Sequence, residues 1–412
     1  MKPTSPESEM SRQLWRFVRL AAASTDEWDA GDAWGRRQPT GPADTLFPSA
    51  GVRMRRVPPG MSGAHLFRYA IAGGDCWAVK RWPAGTCRER VTELHRVIRF
   101  AADHGGPPLP LPLGPDGATA VTHDGYVWDV CRWLPGAPLR PDADDSLIVA
   151  GAASIARFHR AVRPLGRLHR PASAVAERLR RIEQLTSSPR RSVFDKHFHF
   201  ATGQWSAESG PGASVVAPRG ARTGTDNWLG SAIKESEFAR AWGNALRILG
   251  EQGRAALERS RQQLVAESDR PMPLQWVFRD VHRGHVLFRT GTVSGILDFD
   301  AMRVDTPATD LARWVSGFLA GASESDRTVG ESAGGGDLGR RSDGIWRAAL
   351  AGYRSVSPFS DREEHLSRLL LPASLWISLA NWCVWLAIEG RSFPCGPSAV
   401  ASRLEELSRA VV

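Results

Sequence analysis

Cysteine is scarce in this 412-residue chain, and what there is has no pattern. Cys76, Cys87, Cys131, Cys383 and Cys395 form no CxxC pair and no regular spacing. That argues against a cysteine zinc site and for a reducing, cytoplasmic setting. The opening residues, MKPTSPESEM, lack the apolar core of a signal peptide. No helix-turn-helix, zinc-finger or aromatic RNA-binding motif is present, which argues against a nucleic-acid partner. A charge-free run from Leu369 to Ile388 is long enough to span a bilayer. Pro372, Ser374, Ser378 and Asn381 interrupt it, however, and no basic cluster follows it directly. A helix buried in a large lobe is therefore expected there rather than a membrane span.

What is present is enough chain for two lobes and, at 42% apolar residues, enough apolar surface for real cores. The net charge is +9, and residues 160–270 hold 19 Lys and Arg against 11 Asp and Glu, which is +8 on their own. Such a balance fits an arginine-rich surface or an anionic partner.

The most informative stretch is Trp276 to Trp314, WVFRDVHRGHVLFRTGTVSGILDFDAMRVDTPATDLARW. Val286, Leu287 and Phe288 predict a short strand, residues 289–292 a turn reversed at Gly291, and Val293 to Leu297 the returning strand. A hairpin brings its open ends together, so Asp280 before it and Asp298 after it are expected to face one pocket. One acid can orient a hydroxyl and accept its proton, and the other can hold a metal that neutralises a phosphate chain.

This string resembles the catalytic and metal-binding loops of the phosphotransferase enzyme family, the aminoglycoside and choline kinase relatives within the protein-kinase-like fold. That family's first signature is His-x-Asp-x-His-x-x-Asn. Here Phe278 takes the first His place, Asp280 and His282 match, and His285 takes the Asn place. The second signature, Ile-Asp-Phe-Asp followed by Asp-Pro-x-x-Asp-Leu-Ala, appears as Leu297-Asp298-Phe299-Asp300, then Asp305, Pro307 and Asp310-Leu311-Ala312. The resemblance implies an α+β, two-lobed fold with a small antiparallel-sheet lobe and a larger, mainly helical one. It also implies ATP as phosphoryl donor and Mg²⁺ as metal, with Asp280 as catalytic base and Asp298 as metal ligand. His285 then stands at the second metal position. Magnesium wants oxygen ligands and imidazole suits softer metals. Three outcomes stay open: one metal, Mn²⁺ with His285 as ligand, or nucleotide binding with transfer lost. Asp300 and Asp305 are read as structural, and Asp310 as a brace for the loop.

Upstream, residues 1–50 read as a leader with a short helix over Ser11 to Ala23, whose apolar face is expected to pack on the body of the protein. Residues 51–133 read as the nucleotide-binding lobe and 134–412 as the helical lobe, with an acceptor region near 165–270 and a flexible loop near 321–344. In Cys76 to Trp82, strand periodicity puts Ala78 and Lys80 on one face and Trp77 and Val79 on the other. A small residue two before a lysine lets an adenine ring lie flat while the lysine reaches the phosphates. Trp77-Ala78-Val79-Lys80 resembles the Val-Ala-Ile-Lys strand of kinases. The resemblance further implies Gly60, Ser62 and Gly63 in a phosphate-covering turn. Glu89 or Glu93 would hold Lys80, and the resemblance favours Glu93. Arg132 falls where backbone groups would meet adenine. His159 reads as structural. Because the acceptor region is net positive, a neutral or anionic hydroxylated small molecule is expected rather than a cationic one.

Overall fold

The computed structural model describes residues 12, 14–19, 21, 53–58, 60–61, 63–70, 76–115, 117–187, 194, 228–319 and 336–412, with side chains omitted over 336–341. Ser62 and the expected loop segments 206–225 and 321–335 lie outside the described residues. In chain order the elements used below are β1 (Arg53–Arg56), β2 (His65–Ala70), β3 (Cys76–Arg81), α1 (Arg88–Asp103), β4 (Ala120–His123), β5 (Tyr126–Arg132), β6 (Ala137–Pro138), α2 (Asp145–Val162), β7 (Leu168–Pro171), α3 (Ser173–Thr186), α4 (Trp228–Ala232), α5 (Ser236–Ile248) and α6 (Arg254–Val265). They continue with β8 (Pro271–Val277), β9 (Val286–Arg289), β10 (Thr292–Ile296), β11 (Arg303–Asp305), α7 (Ala308–Leu319), α8 (Gly336–Arg354), α9 (Asp361–Cys383) and α10 (Gly396–Val411). The chain divides into two compact units. The first comprises Met1–Leu139, Ser154–Pro164 and Gly284–Met302, and the second Arg140–Ala153, Leu165–Arg283 and Arg303–Val412.

The first unit is built on an antiparallel sheet in the order β1-β2-β3-β5-β4. Its register sets Phe67 opposite Val79 and Val79 opposite Val130. Because side chains alternate along each strand, these residues share one face. The N-terminal helical residues cover that face: Leu14, Phe17, Val18 and Ala21 join Phe67, Tyr69, Val79, Val121, Trp128 and Val130 in one apolar cluster. Phe17 meets Tyr69 edge to face, with ring centroids 4.5 Å apart. The opposite face carries Ala78, Lys80 and Asp129, with Lys80 paired to Asp129 in register. Helix α1 belongs to this side, since its His95 lies 3.0 Å from Asp129 Oδ2 and 2.8 Å from Thr119 Oγ1. The Trp82 indole donates to the same Asp129 oxygen at 2.9 Å. The buried carboxylate is thereby satisfied rather than stranded.

A second, three-stranded sheet in the order β10-β9-β6 also belongs to this unit. Its β9–β10 hairpin turns at Thr290 and Gly291, both with positive φ (47° and 78°). Two positive angles are what a two-residue turn needs to match the strand twist. The register slips between Val293 and Gly295. At Gly295 an added Cβ would lie 2.5 Å from Leu134 Cδ1 and 3.0 Å from its Cβ, so a larger residue would have to push the Leu134 side chain aside.

The second unit holds the sheet β11-β8-β7 and most of the helices. Helix α9 starts on a capping box: Ser360 Oγ accepts from Glu363 N at 3.2 Å while Glu363 accepts from Ser360 N at 2.9 Å. By length and composition, residues Asp361–Ile388 could cross a membrane, but Leu366, Leu370, Leu375, Leu379 and Ala380 are buried within the unit. The polar residues that break the apolar run accept from arginines of α3: Ser374 Oγ from Arg178 Nε at 2.8 Å, and Asn381 Oδ1 from Arg181 Nε at 2.7 Å. Residues 336–344, expected within a flexible loop, are instead the start of α8. Once the buried Ile345, Trp346 and Ala349 hold a helix, extending it N-terminally adds one hydrogen bond per residue without a new nucleus.

Replacing Phe17 with Ala should cost about 3 kcal/mol of stability, because it opens a cavity on the sheet face that it covers. Urea unfolding of the full chain checks this, and an unchanged midpoint would place the N-terminal helix outside the core.

Candidate active site

In the first unit the site is built around one cation. Lys80 Nζ lies 2.5 Å from Asp300 Oδ1, with side-chain exposures of 21% and 28%. It also sits 3.9 Å from the centroid of the Trp82 ring, two residues along the same strand face. Burial by itself lowers the Lys80 pKa, but Asp300, Asp298 and Asp129 outweigh it and hold the ammonium above the ordinary lysine value. Its contribution to stability is therefore complete at neutral pH and is lost only as pH rises through that raised value. Asp300 is pushed up first by burial and also by the charge of Asp298, with Lys80 opposing both. Two carboxylates thus share one ammonium, an arrangement short of positive charge.

The hairpin accounts for the placement of Asp298 and His285. Leu297 N donates to His285 O at 2.8 Å, closing the open end of β9 and β10. That bond sets His285 Nε2 3.5 Å from Asp298 Oδ2. Asp298 itself adopts a left-handed backbone, φ 63°, which a non-glycine residue holds only where its surroundings enforce it. Asp300 follows in a turn closed by Met302 N donating to Phe299 O at 3.0 Å. The Arg90 guanidinium of α1 also bonds Met302 O.

The Lys80 pairing corrects two expectations. Glu93 does not hold the lysine: it accepts from Arg90 Nη1, one turn away on α1, at 3.0 Å, and its side chain is 43% exposed. Asp300, read as structural, takes that place instead. The hairpin delivers a short carboxylate directly onto the strand face, whereas a glutamate with an arginine three residues away finds a local partner. Arg132 closes the end of β5. Its N–H donates to Leu111 O at 2.9 Å, because residues 111–113 pair with the end of β5, and its guanidinium lies over the Trp77 ring. Ala78 faces the same side as Lys80, opposite Cys131 in register. Gly60 and Gly63 are exposed in the turn between β1 and β2, Gly63 with φ 75°.

In the second unit Asp280 is prepared by helix α7. Asp310, at the third position of that helix, accepts from Phe278 N at 2.7 Å and from Arg279 N at 2.6 Å, the bracing role expected of it. Phe278, standing where the signature has histidine, is completely buried. Arg279 has φ 67°, so the chain turns sharply just before Asp280. One turn beyond Asp310, Arg313 donates from Nε to Asp280 Oδ1 at 2.6 Å. The Arg279 side chain bonds Glu177 with both terminal nitrogens and lies 3.6 Å from the fully buried Asp305. Asp305 also accepts from Ser173 Oγ at 2.8 Å, which makes it structural as expected. Burial alone would raise the Glu177 pKa, but Arg279, Arg303 and Arg178 hold it below the ordinary value. The arginines around Asp280 were not legible as partners in the sequence, since their spacing follows no motif.

An Asp300→Asn exchange removes the nearest carboxylate from Lys80 and leaves burial less opposed, so the amine should titrate lower. Acylation of Lys80 at mildly alkaline pH, followed by peptide mass spectrometry, should then run faster than in the parent chain. An unchanged or slower rate would show that Asp300 does not hold the ammonium.

The model of the phosphotransferase enzyme family matches residues 59–359. Among solved structures, the chain is similar to amicoumacin kinase hAmiN in complex with AMP-PNP and Ca²⁺ (13% identity, TM-score 0.48, covering 86% of this chain and 87% of that one). It is also similar to the macrolide 2′-phosphotransferase MphH from Brachybacterium faecium (13% identity, TM-score 0.43, covering 88% and 98%). A third is the spectinomycin phosphotransferase APH(9)-Ia with ADP and spectinomycin (11% identity, TM-score 0.47, covering 90% and 100%). No curated protein matches the sequence. With the family's model running through both the lysine strand and the two aspartate loops, this chain, an α+β protein of antiparallel sheets and a helical majority, belongs to the phosphotransferase enzyme family.

Proposed function

We propose that the protein is an ATP-dependent phosphotransferase that moves the γ-phosphoryl group to a hydroxyl of a small molecule. The observation that carries this reading is the Lys80–Asp300 pair beside Asp298, in a chain of this family. Phosphoryl transfer needs positioning and charge neutralisation more than covalent chemistry. Lys80 holds the α- and β-phosphates, and Asp300 fixes the direction in which its ammonium points. Ala78 leaves room for the adenine ring on the same strand face. Gly60, Ser62 and Gly63 supply backbone N–H groups over the phosphates. Asp280 orients the acceptor hydroxyl and accepts its proton. Asp310 and the left-handed Arg279 keep that carboxylate in place.

The donor set fits a divalent ion at Asp298. Two carboxylates share a single ammonium, so a cation there would supply the missing positive charge. When bound, Mg²⁺ or Mn²⁺ neutralises the β- and γ-phosphate oxygens. Asp298 would hold it as an oxygen ligand, and His285, whose Nε2 lies 3.5 Å from that carboxylate, would be the neighbouring nitrogen donor. An imidazole in that position favours Mn²⁺ over Mg²⁺. The same histidine supports a second reading, a catalytically impaired kinase-like protein that keeps nucleotide binding. We place the activity in the reducing cytoplasm, in keeping with five free cysteines. The acceptor is a neutral or anionic hydroxylated compound, so kanamycin-like polycations should not be phosphorylated with saturation.

Single-turnover transfer from ATP decides between the readings. Asp280→Ala should lose about 10²- to 10⁴-fold in rate while nucleotide affinity stays unchanged. Mn²⁺ should support at least the rate seen with Mg²⁺. Equal rates for Asp280→Ala and the parent chain would end the assignment of the base. A His285→Asn variant that gains activity with Mg²⁺ would favour the impaired reading.

A further inference from the structure

Neither glutamate of α1 goes to Lys80: Glu93 accepts from Arg90 Nη1 at 3.0 Å, and Glu89 from Cys87 Sγ at 2.7 Å. The helix reaches the lysine by another route. Lys80 and Asp129 stand opposite each other in the β3–β5 register, which puts both side chains on one sheet face. Trp82 touches both of them. Its ring centroid lies 3.9 Å from Lys80 Nζ, and its indole N–H donates to Asp129 Oδ2 at 2.9 Å. The same oxygen lies 3.0 Å from His95 Nε2 of α1, and His95 Nδ1 lies 2.8 Å from Thr119 Oγ1. Contacts therefore run without a gap from Thr119 through His95, Asp129 and Trp82 to the lysine, all within the first unit.

Docking of the helix does not call for these contacts. The inner face of α1 already buries Val91, Leu94, Val97, Ile98 and Ala101. Apolar side chains in the places of His95 and Asp129 would pack there without withdrawing polar groups and a charge from water. His95 and Asp129 are nevertheless only 3% exposed each. The series ends on the one cation assigned to the phosphates. A lysine ammonium sits on a flexible four-carbon stem, so the single contact with Asp300 fixes one point and leaves the stem free to swing. The Trp82 ring lies against the ammonium, and its N–H, held by Asp129, keeps the ring from rotating. Asp129 adds its charge: burial lowers the Lys80 pKa, and Asp129 joins Asp300 and Asp298 in raising it. Resting on the nucleotide reading above, we propose that His95, Asp129 and Trp82 are positioning residues through which α1 aims the Lys80 ammonium at the α- and β-phosphates, in place of a helix glutamate. Adenosine carries no phosphate, so its binding is indifferent to these residues, while ADP binding depends on them.

The test uses the full chain with Mn²⁺ and two probes, ADP and adenosine, titrated calorimetrically. Asp129→Asn keeps an acceptor oxygen for Trp82 and His95 and loses the charge. Trp82→Phe keeps a ring beside the ammonium and loses the N–H that Asp129 holds. Each should weaken ADP about tenfold, the order of a cation–π contact or a charged hydrogen bond, and leave adenosine affinity unchanged. A conservative exchange separates positioning from packing: His95→Gln, which can still donate to Asp129, should keep the ADP preference, and His95→Leu should lose it. Without nucleotide, Lys80 should acylate faster in Asp129→Asn and Trp82→Phe than in the parent, measured against the exposed Lys234 of the same chain. Should Asp129→Asn fail to fold, Trp82→Phe alone carries both measurements. ADP and adenosine affinity falling together marks a merely structural role and overturns the proposal. So does an ADP preference, or a Lys80 acylation rate, that neither variant moves, with the nucleotide reading left standing wherever the parent prefers ADP. A parent chain that binds ADP no better than adenosine sinks that reading, and this role with it.

Discussion

The first unit depends on the ion pair between Lys80 and Asp300, groups 220 residues apart in the chain. A single lysine on a half-buried strand face would ordinarily lose its charge to burial or reach back to water. Here three carboxylates keep it charged: Asp300 in contact, Asp298 beside it, and Asp129 across the strand pair. Asp129 is in turn held by His95 and Trp82, so the electrostatics of the site run directly into the packing of α1. This pair ties the β3 strand to the turn after the β9–β10 hairpin. It also explains why the sheet needs cover on both faces. The apolar face goes to the N-terminal helix and the polar one to α1 and the carboxylates.

The second unit solves a different problem with one helix. Within a single turn, α7 presents Asp310 to the backbone ahead of Asp280 and Arg313 to the Asp280 carboxylate. Positions i and i+3 share a helix face, so one rigid element sets both the loop and its acid. Four non-glycine residues among those described have positive φ; Asp124 and Thr290 lie in turns between strands, and the other two are Arg279 and Asp298. Both adjoin or belong to the acids assigned to chemistry, which is where backbone strain persists when the surroundings over-determine it.

Much of this was legible beforehand because it is local. Alternation along Cys76 to Trp82 assigned Ala78 and Lys80 to one face. Thr290-Gly291 named its own turn. The Asp-Phe-Asp and Asp-Leu-Ala strings marked the loop that meets Lys80 and the acid that braces the backbone ahead of Asp280. Glu93 was misread as the lysine's partner because helix position says which residues could reach Lys80 and nothing about what else arrives there. The choice fell to Asp300, brought in by a hairpin, while Arg90 satisfied Glu93 from one turn away. No periodicity announces, either, that residues 111–113 will pair with the end of β5 and engage the Arg132 N–H. Ser374 and Asn381 were seen as flaws in an apolar run. Only their partners, Arg178 and Arg181, explain why a buried helix carries them.

By itself the sequence determined strand faces, turns and the family, since each depends on residues within a few positions of one another. Tertiary structure alone decided which carboxylate neutralises Lys80 and which arginine sits on Asp280. The reason is the long reach of charge. An ion pair forms wherever opposite groups meet at a few ångströms with little water between them, and only the folded chain sets that distance.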